Sequence, residues 1–172
     1  GTGSSIPTFS LPTVNRNAAL ALTGALLFVV AMRSFSVPSV FRGDAVVLSS
    51  NDPYYYRYLV EQLLAQSSGP FDFAALSGLD SGAAKGEPLM VAVIWFVSEI
   101  FGGSHATAGV VLAVSPVIAA VVVGILLYLL VVRLTGDRHV GLAAVVMLAV
   151  LPDHALRTAV GFADHHAFDY PW

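Results

Sequence analysis

Residues 106–132 read ATAGVVLAVSPVIAAVVVGILLYLLVV, 27 residues without one charged side chain. About 20 mostly apolar residues suffice for a helix to cross the hydrocarbon core of a bilayer, so this stretch alone predicts a membrane span. Ser115-Pro116 in its outer third predicts a kink, which a membrane helix tolerates. Residues 18–32, fenced by Arg16 and Arg33, predict a second span if the helix runs to about Ser36, with Arg33 snorkelling to the interface. A third span is expected at 140–152. Residues 88–101, PLMVAVIWFVSEIF, are too short and carry Glu99. They predict a helix lying at the membrane surface, anchored by Trp95 between Glu87 and Glu99.

The composition agrees. Of 172 residues, 56% are hydrophobic and only 11% charged, against roughly 25% charged in a soluble domain. There is too little charge to clothe a water-exposed surface. A net charge of −3 gives no basic footprint for nucleic acid. The absence of cysteine excludes a disulfide framework, a thiolate nucleophile and a cysteine zinc site. The fold class is therefore all-α membrane protein, a multi-span helical bundle with about three spanning helices and interfacial helices in the first outer loop.

Charge sets the topology. Arg133 and Arg138 flank the turn Thr135-Gly136-Asp137 and place it in the cytoplasm, as Arg16 does the N-terminus. This holds only if 88–101 does not cross. Arg33 and Arg42 fall outside and count weakly against it. The expected plan is a cytoplasmic tail 1–16, a span 17–36, an external loop 37–106, a span 107–134, a cytoplasmic turn 135–139, a span 140–152, and the start of a second external loop at 153–172.

Chemistry gathers in the two outer loops. Asn51-Asp52-Pro53 reads as a helix start, followed by Tyr54–Tyr58 with four tyrosines and Arg57. The plainer reading is an aromatic belt on a surface helix whose cap is Asp52. The second loop carries Asp153, Asp164 and Asp169 with His154, His165 and His166. Carboxylates take hard divalent metals, and imidazole extends the choice to Mn²⁺ or Zn²⁺. In an extended segment Asp164 and His166 share one side and His165 faces away. Solvated histidines are the plainer reading here. Acidic residues at the membrane edge are nonetheless costly unless paired or metal-bound. Asp52, Asp164 and His166 from two loops on one side would hold an ion and leave room for a substrate phosphate.

In order and spacing, the first span, the loop opening with Asn51-Asp52-Pro53-Tyr54-Tyr55, and Arg157 seven residues before Asp164-His165-His166 resemble the catalytic subunit of oligosaccharyltransferase. The archaeal branch is most similar, because its second acidic motif often reads Asp-x-His. The resemblance covers the chain from about residue 18 onward. It implies the multi-span architecture of lipid-linked-sugar glycosyltransferases and an inverting, metal-dependent enzyme, with Mn²⁺ or Mg²⁺ and Zn²⁺ as a further option. The donor would be an oligosaccharide on a dolichyl phosphate or pyrophosphate carrier. The acceptor would be the Asn of Asn-x-Ser/Thr in a polypeptide. Asp52 matches the first-loop metal aspartate that also lies near the acceptor amide. Asp164 and His166, or His165 in its place, match the second-loop ligands, and Arg157 a supporting arginine. The active site would face the outside of the cell membrane. The family's later external-loop glutamate and its Trp-Trp-Asp-Tyr-Gly motif have no counterpart here, so an N-terminal fragment without the soluble C-terminal domain, inactive alone, is expected. Other polyprenyl-phosphate-sugar glycosyltransferases, a non-catalytic membrane subunit or a transporter fragment remain as alternatives.

Overall fold

The computed structural model describes residues 16–79 and 88–163. Helix α1 (Arg16–Arg33) passes through a 3-10 turn (Ser34–Ser36) into the short α2 (Val37–Val40). A hairpin of β1 (Phe41–Arg42) and β2 (Ala45–Val46) follows, pairing Phe41 with Val46 and Arg42 with Ala45. Then come α3 (Asn51–Gln66), a 3-10 stretch (Phe73–Leu79), α4 (Pro88–Ile100), α5 (His105–Thr135), α6 (Arg138–Val150) and α7 (Pro152–Arg157). The hairpin departs from an all-helical chain. Its tight turn is possible because Gly43 takes a φ of 58°.

Two helices are long and apolar enough to cross a membrane, Arg16–Val40 and His105–Thr135. The expected third span, 140–152, coincides with a shorter apolar helix. Helix α6 starts at Arg138 and stops at Val150, about 20 Å of rise against a core of about 30 Å. The break is local in origin. Leu151 precedes Pro152, whose ring disfavours helical backbone at the preceding residue, and Leu151 sits extended at φ −64°, ψ 112°. Pro152 then opens α7.

Helix α5 is the shared axis. Ser104 caps its start by accepting from the Thr107 N–H, and Gly136, left-handed at φ 72°, ends it. Asp137 caps α6 by accepting from the His139 N–H, so α5 and α6 are joined by two residues and run antiparallel. The C-terminal half of α5 packs with α1 and α6 around Ala25, Val29, Ala120, Tyr128, Val145 and Ala149. The contacts are close because small residues sit there: a Cβ on Gly141 would lie 2.7 Å from Val132 Cγ2, and one on Gly124 2.9 Å from Leu26 Cδ2.

The N-terminal half of α5 carries a second core. Ala108, Leu112, Ala113 and Val117 meet Leu59, Val60 and Leu63 of α3 and Met90, Val91 and Ile94 of α4. Helix α3 buries Pro53, Tyr56, Val60 and Leu63, one face at helical spacing, and exposes Tyr54, Tyr55 and Tyr58. Trp95 is not the surface anchor expected of it. It is fully buried, donates Nε1–H to Ser67 Oγ at 3.2 Å, and meets Phe73 edge-on. Glu99 accepts from the same Ser67 hydroxyl, so α4 is tied to the end of α3. The exposed residues of α4 are instead Leu89, Val93 and Ile100.

Candidate functional site

The site is built where the loops after α1 and α6 meet. Asp52 lies in the first turn of α3 and is exposed. Ser50 caps that helix without a side-chain bond. A cap accepts from the second or third helical N–H, and the third residue here is Pro53, which has none. The carboxylate of Asp52 makes no hydrogen bond or ion pair among the described residues.

The second loop is docked onto the first by backbone bonds. The Ser49 N–H, three residues before Asp52, donates to the Gly161 carbonyl, three residues before Asp164, at 3.0 Å. Gly161 N–H donates to the Ala113 carbonyl of α5 at 2.8 Å, and Val160 N–H to the Arg33 carbonyl at 3.1 Å. Ser36 Oγ donates to the Val160 carbonyl at 2.7 Å. Ala113 stands one residue past Leu112, whose carbonyl loses its helical partner to Pro116 and accepts from Ser115 Oγ instead. Gly161 has a φ of 83°, and a Cβ there would fall 2.5 Å from Val40 Cγ2. Only glycine satisfies both constraints. The chain is irregular from Thr158 to Ala163. Asp164, His165 and His166 lie outside the described residues.

Arg33 does not snorkel. It is completely buried, and all five of its N–H groups are used. Nε donates to Thr158 Oγ1 (2.7 Å), Nη1 to the carbonyls of Val29 (3.1 Å) and Ala149 (3.3 Å), and Nη2 to the Leu148 carbonyl (3.1 Å) and His154 Nδ1 (2.6 Å). The carbonyls of Leu148 and Ala149 lie in the last turn of α6, the negative end of its dipole, and that of Val29 one turn before the end of α1. An arginine can therefore be buried there without a carboxylate. The geometry also shows that α1 and α6 end at the same level and run parallel. Because the guanidinium can only donate, Nδ1 of His154 is the acceptor and its proton rests on Nε2. Burial first, then the Arg33 charge, push the His154 imidazole down to about 4, against a smaller opposing pull from Asp153.

Arg157 is half-buried on α7, where its Nε donates to Asp153 Oδ1 at 3.1 Å. On the other side of the site, Arg57 donates to Glu61 (2.8 Å) and to the His105 carbonyl (3.3 Å), while His105 Nδ1 lies 3.2 Å from Glu61. Burial raises the Glu61 carboxyl, but Arg57 and His105 together outweigh it and hold it below its usual value. This cluster fixes the helix that carries Asp52 to the start of α5.

The residues that sequence reasoning undervalues are Arg33, His154, Thr158 and Gly161. Gly161 has a signal, a lone glycine in an otherwise helical-looking run; Arg33 has none, since its partners lie up to 125 positions away. Asp52 fits a divalent cation as a hard oxygen donor with no competing partner among the described residues. No three metal-binding side chains gather among the described residues.

No curated protein and no solved structure matches the chain. Residues 18–172 match the family model described as "Oligosaccharyl transferase STT3, N-terminal". That match takes in both loops and every helix, α1 from Ala18 onward, and the chain belongs to this family of membrane-embedded glycosyltransferases.

Proposed function

We propose that the protein transfers an oligosaccharide from a dolichyl-phosphate-type carrier to the Asn of Asn-x-Ser/Thr, with inversion, at a site on the external face of a multi-pass cell-membrane protein. The observation that carries this reading is the Ser49–Gly161 backbone bond. It ties the approach to Asp52 to the approach to Asp164, as a site shared between the two loops requires. The membership of the oligosaccharyl transferase family supports the reaction class.

A carboxamide nitrogen is a poor nucleophile because its lone pair is delocalised into the carbonyl. Asp52, exposed at a helix start, would accept the N–H bonds of the acceptor amide, weaken that delocalisation and aim the nitrogen at the sugar carbon. Inversion needs nucleophile and leaving group on opposite faces, so the phosphate departs toward the second loop. Asp52, Asp164 and His166 would hold a divalent ion, Mn²⁺ or Mg²⁺, which supplies Lewis acidity toward the departing phosphate. His165 is the alternative ligand. Arg157, on the helix before that loop, would add positive charge near it.

The test is transfer to a fluorescent Asn-x-Thr peptide by the natural full-length protein in membranes supplied with lipid-linked oligosaccharide. Asp52→Asn should lower the rate by about 10²-fold or more, and chelation should abolish it until Mn²⁺ is restored. Undiminished transfer by Asp52→Asn would sink the proposal. Transfer to a serine-rich peptide lacking Asn would favour another polyprenyl-phosphate-sugar enzyme.

A further inference from the structure

We infer that Arg33 is a positioning residue: by gripping the ends of α1 and α6 and two side chains around α7, it fixes the second external loop against the first. Four observations carry this. Arg33 is wholly buried at the point where the chain leaves α1. Its side chain reaches Leu148 and Ala149 at the end of α6, His154 on α7, and Thr158 just beyond it. Its own carbonyl receives the Val160 N–H. The next residue, Gly161, is the one bonded to Ser49. One side chain and one carbonyl of the same residue thus set both ends of 148–160.

The alternative, a purely structural staple, predicts loss of stability without loss of geometry at 49–52 and 161–163. The positioning role predicts the reverse for mild variants. Arg33→Lys keeps the charge but has three donors and no planar fork, so it cannot serve five acceptors. Thr158→Val removes one acceptor and keeps the shape. A buried hydroxyl exchanged for a methyl leaves the Arg33 Nε–H unpaired, which tilts the guanidinium without emptying its site.

The inference rests on the proposed function only for what the loop does, and its test has a separate arm for that reason. The chain has no cysteine, so nitroxides can be placed singly at Asn51→Cys and Phe162→Cys. Dipolar broadening of the spectrum of the doubly labelled protein reports the separation of the two loops in the membrane. Strong broadening is expected with Arg33 present, and clearly reduced broadening in Arg33→Lys and Thr158→Val at unchanged helicity. On unlabelled full-length protein, kcat for peptide glycosylation should fall about 10- to 100-fold with peptide KM within twofold. Unchanged broadening and kcat with a lowered melting temperature would overturn the inference, as would equal changes in kcat and KM with an unchanged spectrum. If the unmutated full-length protein transfers no glycan while Arg33→Lys still loses the broadening, the reaction assignment fails and the positioning role stands.

Discussion

His154 and Gly161 show how single residues hold this site. His154 is neutral because its Nδ1 accepts from Arg33, and protonating it would set two cations 2.6 Å apart. Its imidazole titrates near 4 in the fold, against 6.5 when free. The unfolded chain therefore binds more protons between those values, so stability is full above about pH 6.5 and falls as the pH drops toward 4. Thermal unfolding followed by circular dichroism in detergent should show this slope, and His154→Gln should flatten it. At Gly161, an alanine meets both a left-handed backbone and Val40. Gly161→Ala should cost about 2 kcal/mol or more and cut peptide glycosylation at least about tenfold, measured beside the melting temperature. Asp52 is legible from sequence because its setting is local: a turn, a proline and a helix start. Arg33 is not. A lone arginine at the end of an apolar run reads as a surface residue, and what overrules this is a set of carbonyls on a helix 115 positions later.

Among the elements, the helices follow from composition and their ends from caps. Ser104, Gly136 and Asp137 each do what their side chain, or its lack, dictates. The reading of 88–101 as a helix that does not by itself reach spanning length matches α4. The face it hides differs from the expected one, because tryptophan at an interface and tryptophan in a core leave the same mark in sequence. The segment 140–152 is mostly one helix, α6, and its last residue, Pro152, opens the next, α7. Two glycines separate packing from propensity. An alanine methyl at Gly24 in α1 would have no atom within 4 Å, whereas one at Gly141 in α6 would have Val132 and Tyr128 at 3.0 Å or less. Gly24→Ala should be neutral or stabilising by up to about 1 kcal/mol. Gly141→Ala should destabilise by about 1–3 kcal/mol. Denaturant titration of the two variants side by side decides it.

For the whole molecule, the question is which end faces which compartment. The buried state of Arg33 removes one objection to the expected orientation, since a residue sealed inside protein is not a loop charge in the sense of the positive-inside rule. Helix α5 is about 46 Å long at 1.5 Å per residue, some 16 Å more than the hydrocarbon core. Its N-terminal half is where α3 and α4 pack, so in the proposed orientation the site would stand at the outer rim of the bilayer. With no native cysteine to interfere, an impermeant maleimide added to sealed cells should label Asp44→Cys and spare Arg138→Cys; the opposite pattern would invert the topology and remove the external site. The docking of 158–161 carries one more consequence, for synthesis. Its backbone partners and the hydroxyl and guanidinium that hold it, at Arg33, Ser36, Ser49 and Ala113, all precede it in the chain. A chain emerging from the ribosome at about 5–20 residues per second completes the receptacle before its guest appears. These contacts of 158–161 can therefore form within seconds of its translation.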